Sequence, residues 1–256
     1  MDWYIYPAVI AVGIIAGFIN TMAGSGSLLT LPLLMFLGLP ANIANGTNRV
    51  AIFLQNIIAV GSFKKQKVFE YKEGIWLAIP ATAGSLIGAL IAVNFNEQIL
   101  RIFIGILLVF MFFLILIKPE RWIREYAGKI DGSPKLGRII IFFFIGIYGG
   151  FIQAGVGFFL LAGLVLGVGA DLIKANALKV FIILIYTGAA LVIFFINQQV
   201  DLKTGLILAT GNMIGAWIGT RTAVSWGPKF VRIILLLAIF VSALKVLGIA
   251  DFLISK

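Results

Sequence analysis

The sequence predicts an all-α polytopic membrane protein, a single transmembrane domain over residues 1–256. It predicts two inverted-topology repeats, each a broken or re-entrant helical hairpin followed by three transmembrane helices. Three observations predict this fold class. The composition is strongly apolar, apolar runs near twenty residues recur along the chain, and one pattern of small and polar residues occurs twice with opposite loop charge.

The composition indicates a bilayer-embedded chain. Hydrophobic residues make up 61% of the 256 positions and charged residues 12%, whereas a soluble domain is about a quarter charged. The run Ile102 to Ile117 does not alternate as a barrel strand would. The start MDWYIYP lacks the basic region of a cleaved signal peptide. We interpret the net charge of +10 as basic loops that set orientation, not as a nucleic-acid surface.

The apolar segments form two sets of four. Three segments in each set are near the length that a bilayer requires, and the first of each set is longer and interrupted. The polar stretch Lys118–Arg138 separates them and is the predicted cytoplasmic linker between repeat 1 (7–117) and repeat 2 (139–249). The predicted segments are 7–38 (interrupted at Ala23–Ser27), 48–63, 75–93, 99–117, 139–168 (interrupted near Gln153–Gly157), 177–196, 204–220 and 231–249.

The two sets share motifs in the same order, which indicates an internal duplication. Ala23-Gly24-Ser25-Gly26 matches Ala154-Gly155-Val156-Gly157, and Ala44-Asn45 matches Ala175-Asn176. Both pairs have one offset, since 154 − 23 and 175 − 44 give 131. The pair Gly84 and Gly88 then matches Gly211 and Gly215.

Loop charge predicts the orientation of these segments. The loops Lys64–Gly74 and Lys118–Arg138 are rich in Lys and Arg, and such loops face the cytoplasm. In the second half the equivalent of Lys64–Gly74 is NQQVDLK, which is poor in basic residues, and the basic loop is TRTAVSWGPKFVR instead. Equivalent loops therefore fall on opposite sides, as in many secondary transporters. We expect both termini outside a prokaryotic inner membrane, with six full spans and two hairpins.

The stretch AGSGS, Ala23 to Ser27, is small and partly polar within an apolar segment. Irregular backbone at membrane depth is tolerated only where it is buried in protein or lines a wet cavity. The half-helix from Ser27 to Gly38 would point its free N–H groups at this turn, which favours an anion site. Inversion would bring this tip against the one at Gly155–Gly157. The alternative is that the glycines only allow close helix packing.

We expect Arg49, Lys174 and Lys179 either to pair with an anionic substrate or to reach the membrane interface. Gln55, Asn56 and Tyr186 are better explained as contacts between helices. No span interior carries Asp or Glu, which disfavours a carboxylate proton relay and a cationic substrate. The predicted substrate-binding residues are Asn20, Thr21, Gly24, Ser25, Gly26, Ser27, Asn45, Thr47, Arg49, Gln153, Gly155, Gly157, Asn176, Lys179 and Asn212.

The motifs resemble a known family across about residues 8 to 249. The stretches GFINTMAGSGSLLTLPLLMFLGLPANIANGTNRVA, GGFIQAGVGFFLLAGLVLGVGADLIKANALKVF and GNMIGAWIGTRTAVSWG resemble the sulfite and organosulfonate exporter family called TauE/SafE. The resemblance implies a prokaryotic inner-membrane transporter of small sulfur-containing anions such as sulfite, sulfoacetate or thiosulfate. Val156 in the second turn, and Leu178 in place of Thr47, imply that the halves contribute unequally.

The leading hypothesis is a secondary transporter that exports a small sulfur oxyanion by rocking the repeats around a midplane site. A carrier or channel for another anion or a neutral solute is the near alternative. An intramembrane enzyme is disfavoured, because the chain has no His or Cys to serve as base, nucleophile or metal ligand. We expect no cofactor or metal. A structural or assembly protein would not need duplicated breaks, and a homodimer through the Gly84–Gly88 and Gly211–Gly215 faces is conceivable.

Overall fold

A computed structural model describes residues 5–68, 71–116 and 135–222. Within these ranges the chain is helical, with no β-strand, so the predicted all-α membrane fold is confirmed. The described helices are α1 (Ile5–Ala23), α2 (Ser27–Phe36), α3 (Ala41–Lys65), α4 (Tyr71–Val93), α5 (Glu97–Leu116), α6 (Leu136–Phe151), α7 (Val156–Ala162), π1 (Gly163–Val168, a π-helix), α8 (Leu172–Ile196) and α9 (Leu202–Thr222).

The predicted interruptions of the first and fifth segments are confirmed. The first segment breaks between Ala23 and Ser27, and the fifth between Phe151 and Val156. α1 is 19 residues long. It is therefore long enough to cross a membrane by itself, which a short half of a re-entrant hairpin would not be. α6 begins at Leu136, three residues before the predicted start of repeat 2. The predicted segment 231–249 and most of the 118–138 linker lie outside the described residues.

The backbone repeats at the interval that the motifs indicated. Left-handed glycines follow α1 and α6 at Gly24 (φ 74°) and Gly155 (φ 75°). The six residues with positive φ in the described ranges form three pairs, since 155 − 24, 169 − 38 and 198 − 67 all give 131. Each pair follows a helix end. Glycine adopts this backbone without strain, whereas side chains such as those of Lys67 and Gln198 rarely do. Thus α1 to α4 correspond in order to α6, α7 with π1, α8 and α9.

Two equivalent pairs of helices form the main contacts between the halves. α1 lies along α9, and its counterpart α6 lies along α4. Glycines allow backbone contact at both crossings, because a Cβ on Gly84 would overlap the Phe143 carbonyl and one on Gly211 would overlap the Ile10 carbonyl. These glycine faces are therefore occupied within the chain. A homodimer of this chain stays a prediction.

The helices divide into a polar centre and an apolar exterior. α3 and α8 contact each other and both contact equivalent helices of the opposite half. Ile106, Phe110 and Phe113 on α5 are more than half exposed, as lipid-facing side chains would be. Four described helices are long and apolar enough to cross a membrane: Ile5–Ala23, Gly74–Val93, Glu97–Ile115 and Ile173–Ile196. α3 carries its polar residues inward, where they meet the helix breaks.

Candidate functional site

The two helix breaks meet backbone to backbone. The amide N–H of Gly157 donates to the carbonyl of Gly24 at 3.1 Å. An added Cβ on Gly24 or on Gly157 would overlap the backbone of the other residue, so no larger residue fits without separating the tips. The prediction that the tips come together is confirmed. Gly155 supplies the left-handed turn just before this contact.

The start of α2 carries a buried hydroxyl without a partner. The backbone donors of its first turn are mostly used, because Leu28 N–H donates to the Ser25 carbonyl and Leu29 N–H to the Gly26 carbonyl, both at 3.0 Å. Ser25 lies at this end, is fully buried, and its Oγ has no hydrogen-bond partner in the structure. Gly26 precedes the first helical residue and packs against the Ala16 carbonyl. Ser27 Oγ donates to the Gln153 carbonyl at 3.1 Å, which joins α2 to the second break.

Arg49 reaches from α3 to the C-terminal end of α6. Its guanidinium is fully buried. Nη1 donates to the Gly149 carbonyl at 3.0 Å and Nη2 to the Gly150 carbonyl at 2.6 Å. A longer contact joins Nη1 to Gln153 Oε1 at 3.3 Å. Carbonyls in the last turn of a helix lack intrahelical donors, and the helix dipole is negative there, so Arg49 caps α6.

Lys179 on α8 caps the C-terminal end of α1 in the same way. Its ammonium is fully buried and donates to the carbonyls of Asn20 and Thr21 at 3.0 and 3.1 Å, at the end of α1. A third bond of 2.7 Å goes to Asn176 Oδ1 on the same helix. Each half thus places a cation on the broken helix of the other half. Both cations are fully buried within the described chain, so neither side chain reaches its surface.

The amides near these caps bond to the same two helix breaks. Asn45 Nδ2 donates to the Phe151 carbonyl at 2.8 Å, the last residue of α6. Gln153 Nε2 donates to Thr187 Oγ1 at 2.8 Å while its Oε1 accepts from Arg49. The structure therefore brings Asn45 and Gln153 to the second break, and Asn20, Thr21 and Asn176 to the first. All five are less than a tenth exposed.

Two predicted site residues lie away from the breaks. Thr47 Oγ1 accepts from the Asp201 amide at 2.8 Å, and so fixes the loop before α9. Asn212 Nδ2 donates to Gln55 Oε1 at 3.2 Å, which links α9 to α3. The prediction that Gln55 bridges helices is confirmed. Asn56, in contrast, bonds the Ile52 carbonyl within its own helix.

Comparison with known proteins assigns the chain to a family. The family model described as sulfite exporter TauE/SafE matches residues 9–246. This chain belongs to the TauE/SafE family. It is 29% identical over 237 residues to the probable membrane transporter protein YfcA of Escherichia coli strain K12, covering 92% of this chain and 87% of that protein. It is 27% identical over 234 residues to the probable membrane transporter protein ORF9 of a Sinorhizobium species, covering 91% and 89%.

This TauE/SafE protein is therefore a multi-pass membrane transporter, as its family, its relatives and its apolar helices together indicate. A more distant relative, the probable membrane transporter protein YunE of Bacillus subtilis, is 24% identical over 238 residues, covering 84% of this chain and 87% of that protein. No solved structure matches the chain. In the described ranges no cluster of three or more His, Cys, Asp or Glu could hold a metal ion.

Sequence reasoning missed Asn48 and Thr187 in this TauE/SafE site. Asn48 Oδ1 accepts from Thr30 Oγ1 at 2.6 Å, which fastens α2 to α3. The duplication contained a signal for Asn48, because 179 − 48 also gives 131 and Lys179 is thus its counterpart. Thr187 is the counterpart of Asn56 at the same offset. Applying the register to every polar residue would have found both.

Proposed function

We propose that this protein is a secondary transporter that moves small sulfur-containing anions, such as sulfite, thiosulfate or sulfoacetate, across a prokaryotic inner membrane. We propose export, with alternating access through rocking of two inverted repeats around the meeting helix tips. The coarser part of this statement, a membrane transporter of the TauE/SafE family, is given by the comparisons. Substrate, direction and orientation are the proposal.

The observation that carries the proposal is the charge of the site. Two buried cations and the positive end of α2 surround the breaks, and in the described chain neither Arg49 nor Lys179 has a carboxylate partner. Buried charge inside a membrane protein is costly unless it is balanced. Ser25 Oγ has no partner in the protein and can donate to an oxyanion. An anionic substrate balances the charge and uses this donor.

The closed tips support alternating access. Gly24 and Gly157 are in backbone contact, so a solute has no path between them in this conformation. Movement of one half relative to the other would break this hydrogen bond and open the site to one side. Because each cation belongs to one half and its carbonyls to the other, the same movement would free Arg49 or Lys179 to meet the substrate.

The first experiment measures flux. Purified full-length protein is reconstituted in liposomes, and uptake of sulfite, thiosulfate, sulfate and a small sulfonate is followed with and without a pH gradient. We expect saturable flux of at least one sulfur oxyanion. A protein that moves none of them contradicts the proposed function. Dependence on the gradient would identify the coupling ion as a proton.

The Ser25→Ala variant tests the site itself. Since Ser25 Oγ bonds to nothing in the protein, its removal should leave the thermal midpoint unchanged and lower flux about tenfold, the loss of roughly one hydrogen bond to a charged group. Ser62→Ala is the matched control, because Ser62 Oγ bonds Thr220 at 2.6 Å far from the breaks in sequence. Full flux in Ser25→Ala, Asn45→Ala and Asn176→Ala would show that the substrate does not bind at the helix breaks.

Orientation has a separate test, which the absence of native cysteines simplifies. Lys65 and Gln198 are exposed ends of α3 and α8. Our proposal places Lys65 on the cytoplasmic side and Gln198 outside. In intact cells an impermeant maleimide should label Gln198→Cys and not Lys65→Cys. Labelling of both on the same side would refute the inverted arrangement and leave transport itself untouched.

A neutral polar solute is the second candidate substrate. The buried pair Gln55 and Asn212 leaves one donor, Gln55 Nε2, and one acceptor, Asn212 Oδ1, without partners. A solute with a hydroxyl or amide would satisfy both. Flux of a neutral solute that sulfur oxyanions do not inhibit would favour this candidate over the anion.

A further inference from the structure

We propose that Lys179 takes the place of a coupling cation at the end of α1, so that anion transport by this protein requires neither Na⁺ nor K⁺. This inference rests on the proposed transport function and concerns the ions that drive it. It follows from the oxygens around the ammonium group, from the helix end on which they lie, and from the attachment of Lys179 to the opposite half of the protein.

The oxygens around Lys179 Nζ have the composition of a monovalent-cation site. They are the carbonyls of Asn20 and Thr21 at 3.0 and 3.1 Å and the Asn176 amide oxygen at 2.7 Å. All three residues are less than a tenth exposed, and none of the three oxygens carries a formal charge. Neutral carbonyl oxygens are the groups that replace the hydration shell of K⁺ in ion channels. These ligands therefore suit a cation of one charge.

The site lies where a coupling ion binds in other secondary transporters. The C-terminal ends of broken helices coordinate the ion there, because the last carbonyls lack intrahelical donors and the helix dipole is negative. α1 ends at such a break, one residue before the left-handed Gly24. In this protein the ammonium of Lys179 occupies that position.

The end of the other broken helix is also filled by the protein itself. The last four carbonyls of α6 all accept hydrogen bonds: that of Tyr148 from the Ile152 amide, those of Gly149 and Gly150 from Arg49, and that of Phe151 from Asn45 Nδ2. Both broken helices of the described chain thus end on a cation that is covalently part of the opposite half. A diffusible cation would have to displace Arg49 or Lys179 to bind there.

Asp171 does not add a charged ligand to the site at Lys179. It is the acidic residue at the start of the same helix, eight residues earlier, which is about 12 Å along the helix axis. Its carboxylate accepts from the first amides of α8. Asp201 likewise accepts from the amide and hydroxyl of Thr204. The positive charge at the end of α1 is therefore that of Lys179, held by neutral oxygens.

Attachment of the cation to the chain removes its concentration from the equilibrium between conformations. A diffusible cation that binds one conformation shifts that equilibrium according to how far it saturates its site. Lys179 belongs to α8 and its carbonyl ligands to α1, which are helices of opposite halves, so their contact forms whatever the salt. Rocking of the halves should then respond to the anion and not to Na⁺ or K⁺.

The first test exchanges the salt. Flux of thiosulfate and of sulfite is measured in liposomes that hold the full-length protein, with NaCl, KCl or N-methylglucamine chloride on both sides at neutral pH and equal ionic strength. We expect rates within about threefold of one another in the three salts. A larger fall without Na⁺ and K⁺ overturns the inference, and would direct attention to the unpartnered oxygens Asn56 Oδ1 and Asn212 Oδ1.

Shortening Lys179 should open its site to a diffusible cation. Lys179→Ala leaves the three oxygens without their cation, so its flux should be low in N-methylglucamine and rise at least about threefold with Na⁺ or K⁺. Lys179→Met is the matched control, because its side chain fills the space without a charge and its flux should not respond. A purely structural cap would not make flux depend on these ions, so an unresponsive Lys179→Ala protein contradicts the inference.

A binding measurement tests the same site without flux. The unfolding midpoint of purified Lys179→Ala is followed in detergent with ethylammonium chloride, which restores the missing amine, or with tetramethylammonium chloride, which has the charge but no N–H donors. We expect only ethylammonium to raise the midpoint, by about 2–4 °C. Equal midpoints in the two salts contradict the site. If the variant does not fold, the salt dependence of the wild-type flux decides alone.

The outcomes separate this inference from the proposed function. Wild-type flux that requires Na⁺ or K⁺ leaves the transporter of sulfur anions standing and removes only this inference. Absence of thiosulfate and sulfite flux in every salt contradicts the proposed function, while the midpoint of Lys179→Ala still tests the cation site. Wild-type flux that is independent of both cations, together with a cation requirement in Lys179→Ala, supports both.

Discussion

Replacing Arg49 with methionine should destabilise the protein through the end of α6. Methionine has a similar length and keeps the apolar contact with the Phe194 ring, over which the guanidinium now lies at 4.5 Å. It has no donors, so the buried carbonyls of Gly149 and Gly150 lose the bonds at 3.0 and 2.6 Å that Arg49 now makes.

The size of the effect follows from these two short bonds. A hydrogen bond to a charged group contributes about 1.5–3 kcal/mol, so the two together contribute roughly 3–6 kcal/mol. Removing Arg49 also relieves the cost of burying its charge, and a chain unfolded within the membrane finds other partners. We therefore expect a net loss of about 2–4 kcal/mol in unfolding free energy, or roughly 5–15 °C in the unfolding midpoint of a chain this size.

The assay is thermal unfolding in detergent at one scan rate, followed by tryptophan fluorescence, without added anion. Arg101→Met is the matched control, because Arg101 is exposed near the start of α5 and its loss should change stability by less than about 0.5 kcal/mol. The unfolding midpoint of Arg49→Lys should lie between those of Arg49→Met and Arg101→Met, since lysine keeps the charge but lacks the planar guanidinium that reaches two carbonyls.

The result that would refute this reasoning is an Arg49→Met protein that unfolds within about 2 °C of Arg101→Met. Arg49 would then not stabilise the free protein. Its role would then be limited to binding the substrate, and its hydrogen bonds to the end of α6 would not stabilise the fold. A large destabilisation in Arg49→Met, with a smaller one in Arg49→Lys, supports the cap.

Four further variants test the close contacts. Gly150→Ala should cost about 1–3 kcal/mol from overpacking, because its Cβ would overlap a carbonyl of α4. Gly61→Ala in α3 meets no atom within 4 Å and should stabilise by about 0.5–1 kcal/mol; equal midpoints in these two variants would contradict the crossing geometry. Gly24→Ala combines a left-handed backbone with overlap on Gly157, so we expect flux below about a tenth of wild type, and wild-type flux would show that the tips need not touch. Thr30→Val removes a 2.6 Å bond to α3 without changing shape and should cost about 1–2 kcal/mol in chemical unfolding, whereas an unchanged midpoint would show that the bond contributes nothing.

Much of the fold could be predicted because apolar run length and glycine placement are local properties. The breaks after Ala23 and before Val156, and the spans α4, α5 and α8, followed from the sequence. The helix that packs on Gly84 and Gly88 did not follow from the sequence, because glycine indicates close packing without indicating which helix approaches. The structure places α6 there, a helix from the other half.

The candidate site could likewise be predicted only in part. Its residue types and their clustering near Ser25 and Gly157 were evident from duplicated motifs. The tasks of Arg49 and Lys179 were not, and the two alternatives of substrate pairing and reaching the interface both omitted helix capping. Their partners are backbone carbonyls about a hundred or more residues away in sequence, which carry no side-chain signature.

The sequence by itself determined that this is a helical membrane protein with two broken segments at a repeat of 131 residues, because hydropathy and backbone freedom are properties of each residue. Only the tertiary structure decided that each half caps the broken helix of the other and that the two glycine turns touch. Every residue has a carbonyl, and which carbonyls are left without donors depends on where helices end and what packs against them.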